Sequence, residues 1–79
     1  MNITKAISHL ENGKKIRRKG WENIALIMRP SFELYGIYDF LIYDLVLKTE
    51  VRPYIHYRFS AVDILTDDWE IVEDLTTGI

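Results

Sequence analysis

A basic block closed by a tryptophan is the first stretch of this chain whose residue types could do chemistry. It covers residues 14–21, KKIRRKGW, where five of eight residues are Lys or Arg. Arginine offers phosphate oxygens a planar fork, Trp21 offers a nucleobase a flat stacking surface, and Gly20 would let a ligand approach the backbone. These residue types would suit an anion site. From the residues alone, the more usual interpretation is a solvated edge strand whose cations discourage association between sheets.

A second stretch, residues 59–73 with the sequence FSAVDILTDDWEIVE, is typical of a capped helical turn followed by a strand. Ser60 is a good N-cap residue, and Asp63 three places later gives capping-box spacing with Asp in place of the usual Glu. Alternation resumes at Trp69 and predicts a strand. We expect Trp69 to anchor the turn against a sheet.

Enzymatic signatures are missing from the sequence. It has no Gly-rich phosphate loop followed by lysine, no GxSxG elbow and no HExxH. Asp67 and Asp68 are adjacent acids after a capped turn, which are more typical of turn formation than of general acid/base chemistry. Without cysteine, and with His9 and His56 far apart, a metal site is not expected. We therefore predict a binding protein with no catalytic residue, metal ligand or cofactor.

Length and composition predict one small domain over residues 1–79. Apolar residues make up 48% of the chain and aromatic residues 13%, and the net charge of −2 lacks the basic excess of nucleic-acid binders. Neither a signal peptide core nor a long apolar run is present. We expect a cytoplasmic protein with no DNA, RNA or membrane partner. Small domains without disulfides or metals often gain burial by oligomerising, which makes a homo-oligomer plausible.

The elements that must position these residues can be predicted from periodicity. Residues Thr4–Asn12 predict an amphipathic helix, capped by Asn2 or Thr4 and stopped by Gly13. Its apolar stripe is Ile3, Ala6, Ile7 and Leu10.

The middle of the chain favours strands. Asn23–Arg29 predicts a strand buried on both faces, and aromatic and β-branched residues dominate Phe32–Phe59. The run FLIYDLVLK could also form a helix, but we favour a strand, with a hairpin tip at residues 48–50. Pro53 is expected at a strand start or edge.

A last strand before the capped turn should place His56 and Arg58 on one side, and Tyr57 and Phe59 on the other. The tail at residues 74–79 is expected to fray. The predicted fold class is α+β: a small twisted antiparallel sheet with an N-terminal helix and one short helical turn before the last strand.

Together the two stretches resemble the Thoeris anti-defence 2-like family of small phage and prophage proteins. The resemblance lies in a short helix ending in Asn-Gly, then GKKIRRKGW and an apolar strand, and finally FSAVDILTDDWEIVE. It covers roughly residues 2–29 and 53–73. The chain departs from the family at Thr66, where alanine is common, and residues 31–52 carry no matching motif. The tryptophan often seen before the second block is replaced by Tyr57 or Phe59.

The resemblance implies a molecular sponge. Such proteins bind a cyclic nucleotide signal of bacterial anti-phage systems, a cyclic ADP-ribose isomer or a cyclic oligonucleotide of a second defence system (CBASS), without degrading it. They assemble as homo-oligomers, dimers or tetramers, with ligand pockets between subunits. A phage-encoded member would act in the host cell cytoplasm. The departures leave the identity of the ligand open.

The resemblance also implies site residues. Arg18 would contact phosphate and Trp21 would stack on a base. Ser60 and Asp63 would hydrogen-bond a ribose or base edge, although capping of the helical turn is an equally good role for Ser60. Tyr57 is the fifth residue expected to bind the ligand. Two other functions stay open: a protein-interaction or inhibitor module acting on a host protein through aromatic residues, and a structural phage component assembling by edge strands.

Overall fold

The computed structural model describes residues 1–31 and 33–73, so the expectation for the tail at 74–79 falls outside the described residues. These residues form two helices and five strands. In chain order they are α1 (Ile3–Glu11), β1 (Lys15–Arg18), β2 (Ile24–Pro30), β3 (Tyr38–Asp44), β4 (Thr49–Glu50), α2 (Ala61–Leu65) and β5 (Trp69–Val72). The predicted α+β class is confirmed.

The sheet is antiparallel, with the strand order β4-β3-β2-β1-β5. β1 therefore lies between β2 and β5, and the reading of residues 14–21 as an edge strand is wrong. The register aligns Ile16 with Leu26 on β2 and with Ile71 on β5, and aligns Arg18 with Trp69. This register places the end of β1 beside the start of β5.

Helix α1 begins and ends close to where its sequence predicts. The side chain of Asn2 accepts a hydrogen bond from the Lys5 N–H at 2.9 Å, so Asn2 rather than Thr4 is the N-cap. Gly13 has a φ of +83°, the left-handed conformation that terminates helices. Ala6 and Leu10 are buried against the sheet. The helix thus covers one face of the sheet with its predicted apolar stripe.

The core lies between α1 and the sheet. Its centre consists of buried side chains from α1, β1, β2 and β5: Ala6, Leu10, Ile16, Leu26 and Trp69. On β2, both Ala25 and Leu26 are fully buried although they point to opposite faces, which confirms the expected two-sided burial for this part of the strand. The C-terminal end of β2 is exposed.

The run FLIYDLVLK is a strand only as far as Asp44, and a turn follows over residues 45–48. The predicted hairpin tip at residues 48–50 is therefore wrong, because Thr49 and Glu50 already pair with β3. Asp44 sets the earlier turn, since its Oδ1 accepts hydrogen bonds from the backbone N–H groups of Val46 and Leu47 at 2.8 and 2.9 Å.

The segment between β4 and α2 is extended but is not the strand that the sequence suggested. Its pairing with β3 is limited to an isolated bridge between Leu41 and His56 and to single backbone hydrogen bonds. Pro53 lies in a bend within this segment. The predicted alternation holds, because Tyr57 and Phe59 are half-buried against the core while His56 and Arg58 are exposed.

Candidate functional site

The five residues predicted from the sequence to bind a ligand come together in space. Arg18 is the last residue of β1. Trp21 follows in a tight turn, which is closed by a hydrogen bond of 3.1 Å from the Trp21 N–H to the Arg18 carbonyl. Tyr57 belongs to the extended segment, and Ser60 and Asp63 form the start of α2. We call these five residues, with Asp68, the site cluster.

Asp63 is the centre of the site cluster. Its Oδ2 accepts hydrogen bonds from the Tyr57 hydroxyl at 2.6 Å and from the Ser60 backbone N–H at 2.9 Å, and its Oδ1 accepts one from Arg18 Nη1 at 3.1 Å. The residue is only 4% exposed. Such burial of a carboxylate is tolerated because charge-assisted hydrogen bonds replace its hydration.

Ser60 performs the capping role expected from its spacing. Its hydroxyl oxygen accepts a hydrogen bond from the Asp63 backbone N–H at 3.1 Å. The Asp63 carboxylate accepts a second one from the Ser60 backbone N–H, which completes a capping box. The cap therefore orients the Asp63 carboxylate toward Arg18 and Tyr57 as well as starting α2.

Arg18 lies between two carboxylates. Its Nε and Nη2 donate side-on to the two oxygens of Asp68 at 2.9 and 3.1 Å, and Nη1 donates to Asp63 at 3.1 Å. Three of the five N–H donors of a guanidinium are thus used. The side chain of Arg18 is 23% exposed and that of Asp68 is 32% exposed.

These contacts change the acidities of the cluster. The hydrogen bond with Asp68, reinforced by Asp63, raises the pKa of Arg18, and the same bond lowers the pKa of Asp68. Burial alone would raise the pKa of Asp63, but hydrogen bonds from Tyr57, Ser60 and Arg18 outweigh it and the pKa is lowered. Burial, together with the bond to Asp63, raises the pKa of Tyr57 to about 12. At neutral pH the cluster holds one cation, two anions and a neutral phenol.

Aromatic rings surround the polar cluster. The Trp21 ring meets those of Tyr57 and Trp69 edge-to-face, each with centroids 5.6 Å apart, and the Tyr57 ring meets Phe59 at 5.2 Å. Trp69 is buried, and its indole N–H donates to the Asp63 carbonyl at 2.8 Å. Trp69 therefore anchors α2 as expected, while Trp21 and Tyr57 are half-buried at the rim of the cluster.

Sequence reasoning missed Asp68, which it treated only as a turn former. The strand register would have identified Asp68. Pairing of β1 with β5 sets Arg18 opposite Trp69, and therefore beside Asp68, which precedes Trp69 in the chain. That pairing joins residues 50 positions apart, and periodicity within a single strand does not show it.

The site cluster is a surface feature of the single chain. Four cavities described in the structure have other linings; the largest, about 400 Å³, is lined by residues that include Asp39, Tyr54 and His56. Across residues 1–31 and 33–73, no group of three His, Asp or Glu side chains could hold a metal ion. In the same part of the chain, no helix has the length and apolar character needed to cross a membrane.

Fold and site define a small α+β domain that presents a charged cluster rimmed by aromatic rings. The model of the Tad2-like family, the Thoeris anti-defense 2-like domain, matches residues 1–72 of the chain. The chain belongs to this family, which supports a role in countering Thoeris defence. A search of curated proteins returns no match.

Proposed function

We propose that this protein binds a cyclic nucleotide signalling molecule, a cyclic ADP-ribose isomer or a cyclic oligonucleotide, and sequesters it without degrading it. The observation that carries the proposal is the convergence of Arg18, Trp21, Tyr57, Ser60 and Asp63 in a member of an anti-defense family. Aromatic rings offer stacking surfaces to bases, and the charged groups offer hydrogen bonds that fix orientation.

The protonation states of the site cluster support holding a ligand rather than converting it. General acid or base catalysis works best with a pKa near the operating pH. Here Asp63 and Asp68 have lowered pKa values, and the pKa of Tyr57 is about 12. Near neutral pH none of these groups exchanges a proton readily. These protonation states support a non-enzymatic role, which also fits the family.

A second copy of the chain would complete the pocket. None of the four cavities described in the single chain is lined by the site cluster, and the ligand of a sponge must be enclosed to be held tightly. Next to it, α2 exposes Val62, Ile64 and Leu65, which are 61%, 52% and 83% exposed. Apolar side chains at this density favour a protein contact, and a homo-oligomer in the host cytoplasm is the assembly we propose.

A protein-interaction module is the second candidate function. The loop between β2 and β3 exposes Leu34, Tyr35 and Ile37, with Tyr35 fully exposed, and Tyr38 at the start of β3 is exposed as well. Aromatic residues of this kind are enriched in protein interfaces. A host protein that binds this loop would explain why these apolar side chains are exposed, because the sponge function gives them no role.

Thermal unfolding against a panel of cyclic nucleotides, including cyclic ADP-ribose isomers, tests the proposed function. A ligand at a hundredfold its Kd stabilises the folded state by about 2.7 kcal/mol and raises the unfolding midpoint. The ligand recovered after heating should be intact. No shift with any panel member, or recovery of a cleaved ligand, would contradict the sponge.

Trp21→Ala should weaken that binding about 5- to 150-fold, because stacking of a base on an aromatic ring contributes about 1–3 kcal/mol. Calorimetric titration of the ligand measures the effect. Tyr35→Ala, which removes a fully exposed ring on the β2–β3 loop, is the matched control and should leave the Kd unchanged. Equal binding by the Trp21→Ala variant would rule out a stacking role for Trp21.

A further inference from the structure

Resting on the proposed function, we infer that the Arg18 side of the site cluster receives an uncharged, hydrogen-bond-donating part of the ligand rather than a phosphate. The group is a ribose hydroxyl or a nucleobase N–H, and Asp68 is the residue that accepts from it. The site would thus recognise the nucleoside portion of the ligand.

The charge of the cluster argues against phosphate. One guanidinium faces two carboxylates, Asp63 and Asp68, both within hydrogen-bond distance. These three side chains together carry a net charge of −1. A phosphate would bring further negative charge to a locally negative site, and like charges at short range repel.

The geometry of Arg18 leads to the same conclusion. A bidentate pairing uses two N–H groups on one edge of the guanidinium, and Asp68 occupies the Nε–Nη2 edge while Asp63 holds Nη1. A phosphate seeking the same edge would have to displace Asp68 and leave that carboxylate without its partner. One N–H group remains on Nη1 and one on Nη2, but these nitrogens already donate to Asp63 and Asp68, so a phosphate reaching the remaining groups would lie close to both carboxylates.

Asp68 has both the capacity and the exposure to accept from a ligand. A carboxylate has about four lone-pair sites, and Arg18 uses two of those on Asp68. Its side chain is 32% exposed, whereas that of Asp63 is 5% exposed and already accepts three hydrogen bonds. A hydroxyl or N–H donor therefore finds its acceptor at Asp68.

The neighbouring rings fit the same part of a nucleotide. Trp21 directly follows the tight turn from Arg18, and Tyr57 donates to Asp63 while its ring contacts Trp21. A base stacked at this rim would keep its ribose or its own N–H edge near Asp68. The phosphates of the ligand would then meet cations outside the cluster, and the exposed Lys19 is the next cation in the chain.

Asp68→Asn gives opposite results for the two kinds of ligand group. Loss of a charged acceptor should weaken cyclic-nucleotide binding about tenfold or more. If a phosphate bound Arg18, removing the competing negative charge would instead tighten binding. Asp67→Asn, an exposed neighbour, makes the same change in net charge and should leave the Kd within about twofold. Unchanged or tighter binding by the Asp68→Asn variant overturns the inference.

A titration of the unmodified protein tests the inference without any variant and without a cyclic ligand. In NMR spectra, adenosine or guanosine at millimolar concentration should shift the Arg18 Nε–H and Trp21 Nε1–H resonances, and inorganic pyrophosphate should not shift that of Arg18. A shift of Arg18 with pyrophosphate, or none with either nucleoside, overturns the inference. If 9-methyladenine, which has no sugar, still shifts the resonances, the donor is a base N–H; if only the nucleoside shifts them, it is a ribose hydroxyl.

These two measurements separate this inference from the proposed function. Absence of cyclic-nucleotide binding by the unmodified protein would refute the sponge, while the nucleoside and pyrophosphate titrations would still decide which group the cluster accepts.

Discussion

At the scale of single residues, Asp63 connects three parts of the chain that are distant in sequence. It joins the end of β1 through Arg18, the extended segment through Tyr57, and the cap of α2 through Ser60. Because the carboxylate is nearly buried, losing any one donor leaves it less well compensated. The same side chain therefore contributes both to stability and to the shape of the site.

Tyr57→Phe should lower the free energy of unfolding near pH 8 by about 1.5–3 kcal/mol, since a hydrogen bond to a charged group is lost. The difference from the unmodified protein should shrink as the pH rises from about 10 to about 12. In this window the unfolded phenol ionises while burial and Asp63 keep the folded one protonated, so the folded protein loses stability. Urea unfolding across this pH range measures it.

Tyr35→Phe is the control for this experiment, because Tyr35 is fully exposed and its phenol can be removed without breaking the cluster. A stability difference for Tyr57→Phe that stays constant up to pH 12 would contradict a protonated, Asp63-bound phenol.

At the scale of elements, α2 has only five residues and cannot form on its own. Its capping box and the hydrogen bond from Trp69 to the Asp63 carbonyl keep it in place. The element therefore exists because tertiary contacts and its cap fix it.

Ser60→Ala should lower the free energy of unfolding by about 1 kcal/mol, the usual cost of removing an N-cap oxygen. Ser60→Asn, which restores a capping oxygen, should recover most of it. Chemical denaturation compares the two with Ser8→Ala, at an exposed position within α1, which should change stability by less than about 0.5 kcal/mol. Equal stabilities for the alanine and asparagine variants at residue 60 would show that the cap contributes little.

Local signals in the sequence predicted α1, α2, β3 and β5, because caps, periodicity and aromatic content act over a few residues. The position of β1 within the sheet could not be predicted in this way. An edge strand and an interior strand of four residues share the same alternation, and only pairing with β5 decides between them. The turn comes earlier than the predicted tip at residues 48–50 because the Asp44 side chain stabilises it directly after β3.

For the candidate site, residue type and family resemblance predicted five members of the site cluster, and the structure places these five close together. Their partners could not be predicted, since charge type alone does not show that Arg18 is shared between Asp63 and Asp68. The local charge, which determines what the site can accept, appears only in three dimensions.

At the scale of the whole molecule, the described residues expose more large apolar side chains than they bury. Eleven are exposed, against seven buried apolar residues of any size. A domain of this length gains little stability from so small a core, and exposed apolar groups on α2, beside the site cluster, are well placed for contact with a second copy.

Leu65→Glu should reduce the molar mass measured by light scattering, because it places a charge in the proposed subunit contact. Leu65 is 83% exposed in the single chain, so the monomer itself should lose no more than about 0.5 kcal/mol. Leu47→Glu, at the exposed turn between β3 and β4, is the control and should leave the mass unchanged. A Leu65→Glu protein of unaltered mass would exclude α2 from the contact.

The position of β1 between β2 and β5 also bears on how the protein matures. β1 can pair with β2 early, but its other neighbour is more than fifty residues away along the chain, and closing so long a loop is slow. Arg18 meets Asp63 and Asp68 only in that late step. A nascent chain therefore cannot assemble the site cluster until nearly all of the described sequence has been translated and β5 has docked.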